Sequence, residues 1–384
     1  MASNGNIFTG PFQGRYDWAI PDSPFNTRIT NNVLDGLAEG ASVLDPFCST
    51  GSVLLPCAYR GVKCTGYEID PFFEWVSKVK TAVYPPSMAK DLCFASDRVS
   101  DNGYWENETY EVFQTSNVAR YGDKQTDFLK RIRFMIDRET DTGIHDLLMM
   151  AFCRLLLDVE SIPEEGFDDR AGMQLFSDAT EVISKGIDPV PERMITLKRC
   201  DGRNIPAPLI KKYDAILSYL PWPGRRPMEK ECRTFMQWLG FLHSKEDFKR
   251  IDDDTLEYPY SNLREYMCGW VPDPHVDVPG ALRECLEMLR STGKGDAPAM
   301  ADYVRKYFEG LRKYVNSSKD LMKDSCVARY VVSSTSFFGT TIPTDEVFLS
   351  IAEDAGLTVE GCDKVRVRDR TRGLADYCIR LSKP

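Results

Sequence analysis

Residues 41–70, ASVLDPFCSTGSVLLPCAYRGVKCTGYEID, constrain the fold more than any other part of the sequence. A short apolar run at 42–44 reads as a strand and is followed by a turn containing Gly51. Residues 52–59 then carry a helical pattern that Gly61 stops, and 63–69 reads as a second strand closing on acidic residues. Two parallel neighbours must be joined by a crossover, so this order begins a parallel sheet covered by helices. Loops that follow strands in such a sheet open onto its carboxyl edge, where ligands bind.

The first of those loops is Asp45-Pro46-Phe47-Cys48-Ser49-Thr50-Gly51-Ser52. It is no phosphate loop, which needs G-x-x-x-x-G-K-[ST], and it lacks the three glycines of the dinucleotide fingerprint. An ionised carboxylate is purely an acceptor, so Asp45 suits a ligand that carries positive charge or amine donors. The loop's backbone N–H groups are expected to face that ligand. About 20 residues on, Glu68 and Asp70 stand where a doubly wound fold places the acceptor for ribose hydroxyls. The 48 basic and 58 acidic residues leave a net charge of −10, so no global field draws in a polyanion, and any nucleic acid must meet a local basic patch.

The chain divides by composition. Residues 1–84 start the sheet domain, and 85–195, opening on Pro85-Pro86, form a mainly helical insertion around the apolar stretch 144–158. Strand pattern returns within 196–224, residues 225–300 form a second, irregular insertion, and 301–384 complete the sheet domain with an amphipathic helix at 299–321, a strand at 328–336, a helix at 344–355 and a hairpin-like pair at 364–368 and 377–381. No stretch has the charged start and apolar core of a signal peptide or the length of a membrane span, so a soluble, cytoplasmic protein is expected. Twelve scattered cysteines with no C-x-x-C, and only three histidines, argue against a metal centre and read as buried thiols.

The stretch VLDPFCSTGSVLLPCAYRGVKCTGYEIDP resembles motifs I and II of the class I S-adenosylmethionine (SAM)-dependent methyltransferases, particularly the DPF-x-G-[ST]-G form of DNA amino-methyltransferases and some RNA methyltransferases. The resemblance implies a Rossmann-like, mostly parallel seven-stranded sheet with SAM as cofactor. It implies that Asp45, Pro46, Phe47, Cys48, Ser49, Thr50 and Gly51 cradle the methionine end, that Glu68 with Ile69 holds the ribose, and that Asp201 with Gly202 touches the adenine. Ser49 departs from the family's glycine. Upstream, GRYDWAIPDSPFNTRITNNVLDGL is similar to motif X, which implies cofactor contacts from Pro24, Phe25 and Asn26; Phe25 reads equally well as a hydrophobic staple before the helix at 28–37.

Methyl transfer from a sulfonium is an in-line displacement, and an exocyclic base amine needs acceptors for its hydrogens. Amino-methyltransferases supply them with [DNS]-P-P-[YFW] after the fourth strand. Here Ser218-Tyr219-Leu220-Pro221-Trp222 occupies that place, with Tyr219 where a short acceptor belongs. Either a local bulge brings Ser218 or the Tyr219 hydroxyl to the amine, or the site has lost or changed its chemistry. Trp222 reads as a platform for a flipped base or as packing beneath the loop. Arg225 and Arg226, beside the loop, are candidate phosphate contacts, and Lys364, Arg366, Arg368, Arg370 and Arg372 alternate along a strand and turn as a second basic cluster or a charged edge. A C5-cytosine mechanism would need a Pro-Cys nucleophile after this strand, and the sole such dipeptide, Pro56-Cys57, falls in the first helix.

The resemblance therefore implies SAM-dependent methylation of DNA, at cytosine N4 in preference to adenine N6 because Ser218 resembles serine-type tetrapeptides; a restriction-modification setting follows from the resemblance alone. Two alternatives stand beside it. Leu220-Pro221-Trp222 also resembles the D-L-P-Y of RNA guanine-N2 methyltransferases, and a catalytically weak subunit that binds SAM or nucleic acid fits the altered tetrapeptide.

Overall fold

The computed structural model describes residues 14–18, 27–101, 110–115, 118–191, 194–206, 209, 211–224, 229–256, 259 and 262–384. Phe25, Asn26, Arg225 and Arg226 lie outside the described residues. The chain forms two compact units, one of residues 1–24, 75–193 and 228–244 and the other of 25–74, 194–227 and 245–384.

The second unit holds the sheet. Its strands are β1 (Ser42–Asp45), β2 (Lys63–Glu68), β3 (Ile195–Arg199), β4 (Tyr213–Tyr219), β5 (Met322–Ser333), β6 (Thr335–Phe337), β7 (Thr340–Ile342), β8 (Thr358–Asp369) and β9 (Leu374–Ser382). Seven of them make one sheet in the order β3-β2-β1-β4-β5-β9-β8, while β6 and β7 pair as a separate hairpin. The β1–β2, β1–β4, β2–β3 and β4–β5 pairs are parallel, and β9 runs antiparallel to both β5 and β8. This is the expected architecture, a Rossmann-like, mostly parallel seven-stranded sheet. The order reverses between β1 and β4, since β1 leads outward to β2 on one side and β4 to β5 on the other. That reversal makes the carboxyl ends of β1 and β4 the switch point where an open sheet leaves a crevice.

Alternation along the strands assigns the two faces. Val43, Ala215, Leu217, Tyr219 and Val331 pack with Leu34 of the helix Thr27–Asp35 and Leu54 and Cys57 of the helix Leu54–Tyr59. Leu44, Ile216, Ala328, Tyr330 and Val332 meet the helices Gly280–Ser291, Ala297–Ser318 and Thr344–Asp354 on the other side. In the longest of these, Tyr303, Tyr307, Leu311 and Tyr314 recur at helical spacing and are all buried, as the amphipathic pattern predicts. Gly66 sits in β2 because an added Cβ would stand 2.8 Å from Leu54 and 2.9 Å from Cys48, so the first helix closes tightly over the strand.

Residues 225–300 are less irregular than their composition suggests. They include the helices Glu229–Trp238, Lys245–Asp254, Leu263–Tyr266 and Gly280–Ser291. The prolines and turn residues that obscure the pattern lie at helix ends: Pro279 immediately precedes a helix whose Leu282, Cys285, Leu286 and Leu289 form one buried stripe. Residues 228–244, including the first of these helices, belong to the other compact unit.

That unit is helical among its described residues, with Met88–Ser100, Asp123–Asp137, Thr142–Glu160 and Asp169–Lys185 as its long elements. Asp141 caps the apolar helix by accepting from the amides of Gly143 and Ile144 at 2.8 and 2.9 Å. The fully buried Arg15 donates to the carbonyls of Lys80, Ala82 and Asp188 at 3.0, 2.6 and 2.6 Å and lies against the rings of Trp18 and Tyr84. One guanidinium thereby satisfies carbonyls from two distant segments. No helix among the described residues is long and apolar enough to cross a membrane. None of the twelve cysteines is in a disulfide and nine are buried, in keeping with thiols used as small apolar side chains.

Candidate active site

A cleft of about 510 Å³, open to solvent, lies over the carboxyl ends of β1, β2 and β3. Pro46, Phe47 and Ser49 line it from the loop after β1, Glu68, Ile69 and Asp70 from the end of β2, and Asp201, Gly202 and Arg203 from the end of β3, with Pro221 at its β4 border. Gly202 is obligatory there, because a Cβ would meet the Pro46 carbonyl oxygen at 2.2 Å. The loops after β1 and β3 thus touch backbone to backbone and form the floor.

Four amides of the first loop are turned inward, where the expectation was that they face a ligand. Phe47 N–H donates to Asp45 Oδ1 at 3.2 Å, Cys48 N–H to the Tyr67 carbonyl at 3.0 Å, Ser49 N–H to Glu68 Oε2 at 2.8 Å and Gly51 N–H to the Cys48 carbonyl at 2.8 Å. This winding places Ser49 at φ 46° and Gly51 at φ 85°. Left-handed backbone at Ser49 is the physical reason for a glycine preference at that position.

Glu68 links the two loops. Its Oε1 accepts from the amides of Ile69 and Asp70, each at 2.9 Å, while Oε2 accepts from Ser49. Asp70 is buried and accepts from the Phe72 and Phe73 amides, and burial raises its pKa to about 6. Asp201 is paired with Arg203, whose Nε lies 2.8 and 3.0 Å from the two carboxylate oxygens and whose backbone N–H donates to Oδ1 at 2.8 Å. The same guanidinium also donates to the Asp254 carbonyl. Four acidic residues, Glu68, Asp70, Asp201 and Asp254, and one arginine, Arg203, thus line the cleft. Such a lining favours a ligand with hydroxyls, amines or positive charge and disfavours a phosphate.

At the switch point the fully buried Ser218 donates to Asp45 Oδ1 at 2.6 Å. Burial pushes the Asp45 pKa up to about 7 against the lowering effect of the Ser218 and Phe47 hydrogen bonds. The bulge that one of the two alternatives required at Ser218 is absent: β4 pairs with β5 without interruption from Ala215 to Tyr219, and the register shift lies at Tyr213/Ala215. Tyr219 follows the pleat onto the opposite face from Ile216, and its hydroxyl reaches Ser333 Oγ at 2.6 Å. Leu220 is fully buried, with its N–H on the Val331 carbonyl at 3.0 Å, and the Pro221 carbonyl accepts from Tyr307 OH at 2.5 Å. Trp222 is half-buried, with Tyr219 at 5.6 Å in T-shaped contact and the Arg368 guanidinium 5.2 Å from its ring centroid.

The motif reading therefore found the loops at the ends of β1, β2, β3 and β4 but missed Arg203, Asp254 and Tyr307. The run Asp252-Asp253-Asp254-Thr255 was a visible acidic signal; Tyr307 was hidden as one more aromatic on a buried helix stripe. No group of three or more His, Cys, Asp or Glu able to hold a metal ion occurs among the described residues.

Neither a protein-family model nor a curated protein sequence matches the chain. Solved structures similar to it include a TehB-like SAM-dependent methyltransferase from Corynebacterium glutamicum, at 9% identity and TM-score 0.33 over 92% of this chain and 86% of that one. The rRNA methyltransferase aviRa from Streptomyces viridochromogenes is similar at 10% identity and TM-score 0.31, over 94% and 87% respectively.

Proposed function

We propose that the cleft binds SAM and that the chain methylates an exocyclic base amine in DNA, cytosine N4 in preference to adenine N6. The observation that carries the reading is the acidic cleft at the ends of β1 to β3, bordered by Pro221 of the loop that ends on Trp222. SAM supplies an electrophilic methyl group, and its cationic, hydroxyl-rich character suits an acidic lining. Glu68 Oε2 would take a ribose hydroxyl, Asp201 and Gly202 would border the adenine, and the loop of Pro46, Phe47 and Ser49 would hold the methionine end. Trp222 would offer a ring on which an extruded base stacks, contributing roughly 1–3 kcal/mol.

A second reading, a partner subunit with little activity of its own, is favoured by one specific observation. The hydroxyls of Ser218 and Tyr219 are both buried and turned to internal partners, Asp45 and Ser333, and neither residue lines the cleft where an amine would enter. Calorimetry with SAM, followed by mass spectrometry of nucleosides from DNA and RNA incubated with the protein and SAM, separates the readings. Binding with N4-methylcytosine or N6-methyladenine in DNA supports the enzyme, and loss of product in Trp222→Ala with SAM affinity retained supports the stacking role. Guanine-N2 methylation of RNA would shift the substrate, binding without product would favour the subunit, and absence of SAM binding would overturn the enzyme and leave only a subunit that binds nucleic acid.

A further inference from the structure

The second basic cluster does not alternate as its spacing suggests. In the β8–β9 ladder Val367 pairs with Ala375 and Asp369 with Leu374, so Arg368 is the extra residue of a bulge. Bulges re-aim a side chain, and this one separates Arg368 from its neighbours. Lys364, Arg366, Arg370 and Arg372 are exposed, whereas Arg368 is half-buried, with Nε 2.7 Å from Asp376 Oδ1 and Nη2 donating to the Ser334 carbonyl. Asp376 is 2% exposed and also accepts from Ser333 Oγ at 2.6 Å. Ser333 has one hydroxyl hydrogen and spends it on Asp376, so in the 2.6 Å contact with Tyr219 the phenol must be the donor. Tyr219, Ser333 and Asp376 form one directed hydrogen-bond chain, which the Asp376–Arg368 ion pair extends. It starts at the ring that touches Trp222 edge-on and ends at the guanidinium that lies over the indole.

We propose that Arg368 is a positioning residue for Trp222: the bulge in β8 and the Asp376–Ser333–Tyr219 chain hold its guanidinium against the indole and fix the ring for a stacked base. The proposal deepens the reading of Trp222 as a stacking platform and rests on it. It also gives Tyr219 a task. A short acceptor at that position could not reach Ser333, so the bulky phenol exchanges contact with an amine for support of the platform. Arg368 is thereby withdrawn from phosphate binding, because a guanidinium paired with a buried carboxylate cannot leave it without stranding that charge.

Removal of Arg368 alone would strand Asp376, so the test uses the neutral double variant Arg368→Gln/Asp376→Asn beside Arg368→Lys. Trp222 emission is isolated by subtracting the spectrum of the same protein carrying Trp222→Phe, and its acrylamide quenching is measured together with dissociation constants for SAM and for single-stranded and duplex DNA oligonucleotides. In the double variant the indole should become more accessible to quencher and oligonucleotide affinity should fall about five- to tenfold, the size of a partly desolvated cation–π contact. SAM affinity should not change, and Arg368→Lys should restore part of the oligonucleotide loss. Unchanged quenching overturns the proposal, as does tighter oligonucleotide binding, which would mean that the guanidinium covers the stacking face. If the wild-type protein methylates no nucleic acid, the functional reading fails while the quenching still decides whether Arg368 holds the indole.

Discussion

Asp45 offers the sharpest test of the switch-point geometry. Its carboxyl is 2% exposed and has as neighbours the Ser218 hydroxyl and the Phe47 amide, neither of which carries charge. Its pKa of about 7 lies above the ordinary 3.8 because burial penalises the ionised form more than those two bonds favour it. Between pH 3.8 and 7 the folded protein keeps a proton that the unfolded chain has released, so stability falls as pH rises through that window and is flat above it. At 1.36 kcal/mol per pH unit the ionised carboxyl costs the fold about 4 kcal/mol at pH 8. Asp45→Asn keeps an acceptor for Ser218 and Phe47 and removes the charge. Urea unfolding of both proteins from pH 4 to pH 8.5 should show near-equal stability at the acid end and the variant ahead by up to about 4 kcal/mol at the alkaline end. A constant difference across the range, or a variant that loses ground as pH rises, would refute the argument.

Three further outcomes follow from single residues. Ser49→Gly should raise stability by about 1 kcal/mol in thermal unfolding, because φ 46° costs a serine and not a glycine while the bond from its N–H to Glu68 survives. Gly202→Ala should lower the melting temperature and weaken SAM binding together, since the 2.2 Å approach to the Pro46 carbonyl forces apart the two loops that floor the cleft; the measurement is calorimetry beside thermal unfolding, and retained affinity would show that the floor does not matter. His145 lies 3.5 Å from Asp137 and 4.0 Å from Asp146, which raise its pKa to about 9. The stability it adds is complete below pH 6.5 and vanishes as pH rises through 9. His145→Gln should therefore cost about 1 kcal/mol near pH 6.5 and nothing at pH 9.5, the modest size reflecting partial exposure.

Local signals made much of the sheet legible. The strand, turn and helix of residues 41–70 are self-contained, and observed β1 and β2 fall within a residue of the pattern. The cleft followed from topology, because a loop after a parallel strand has one edge of the sheet available to it. The loop's hydrogen bonding was not legible. Whether the Ser49 amide points at a ligand or at Glu68 depends on the approach of β2, which apolar periodicity does not encode. Residues 225–300 concealed four helices for a different reason: each is short, so the turn chemistry at its ends outweighs its internal period.

The tetrapeptide shows where motif reasoning and strand geometry part. Matching Tyr219 to a catalytic acceptor treats the residue as loop, free to aim where chemistry needs it. In the structure it is the last residue of β4, and the pleat that sends Ala215 and Leu217 to one face sends Tyr219 with them. From that face a phenol, and not a shorter side chain, spans the distance to Ser333 on β5, whose own partner Asp376 sits on antiparallel β9. The contacts that give Tyr219 its orientation are separated by more than one hundred residues and close only when β5 and β9 pair. The same pairing delivers Arg368 to Trp222, since the β8 bulge is defined against β9. A departure from a family motif at a strand end therefore carries two meanings, lost chemistry or a side chain recruited into the sheet's own polar network, and the face on which that residue lands decides between them. For Tyr219 the face is that of Trp222, and its hydroxyl joins the sheet's own polar network through Ser333, so under the proposed reading the tyrosine supports the platform and does not meet the amine.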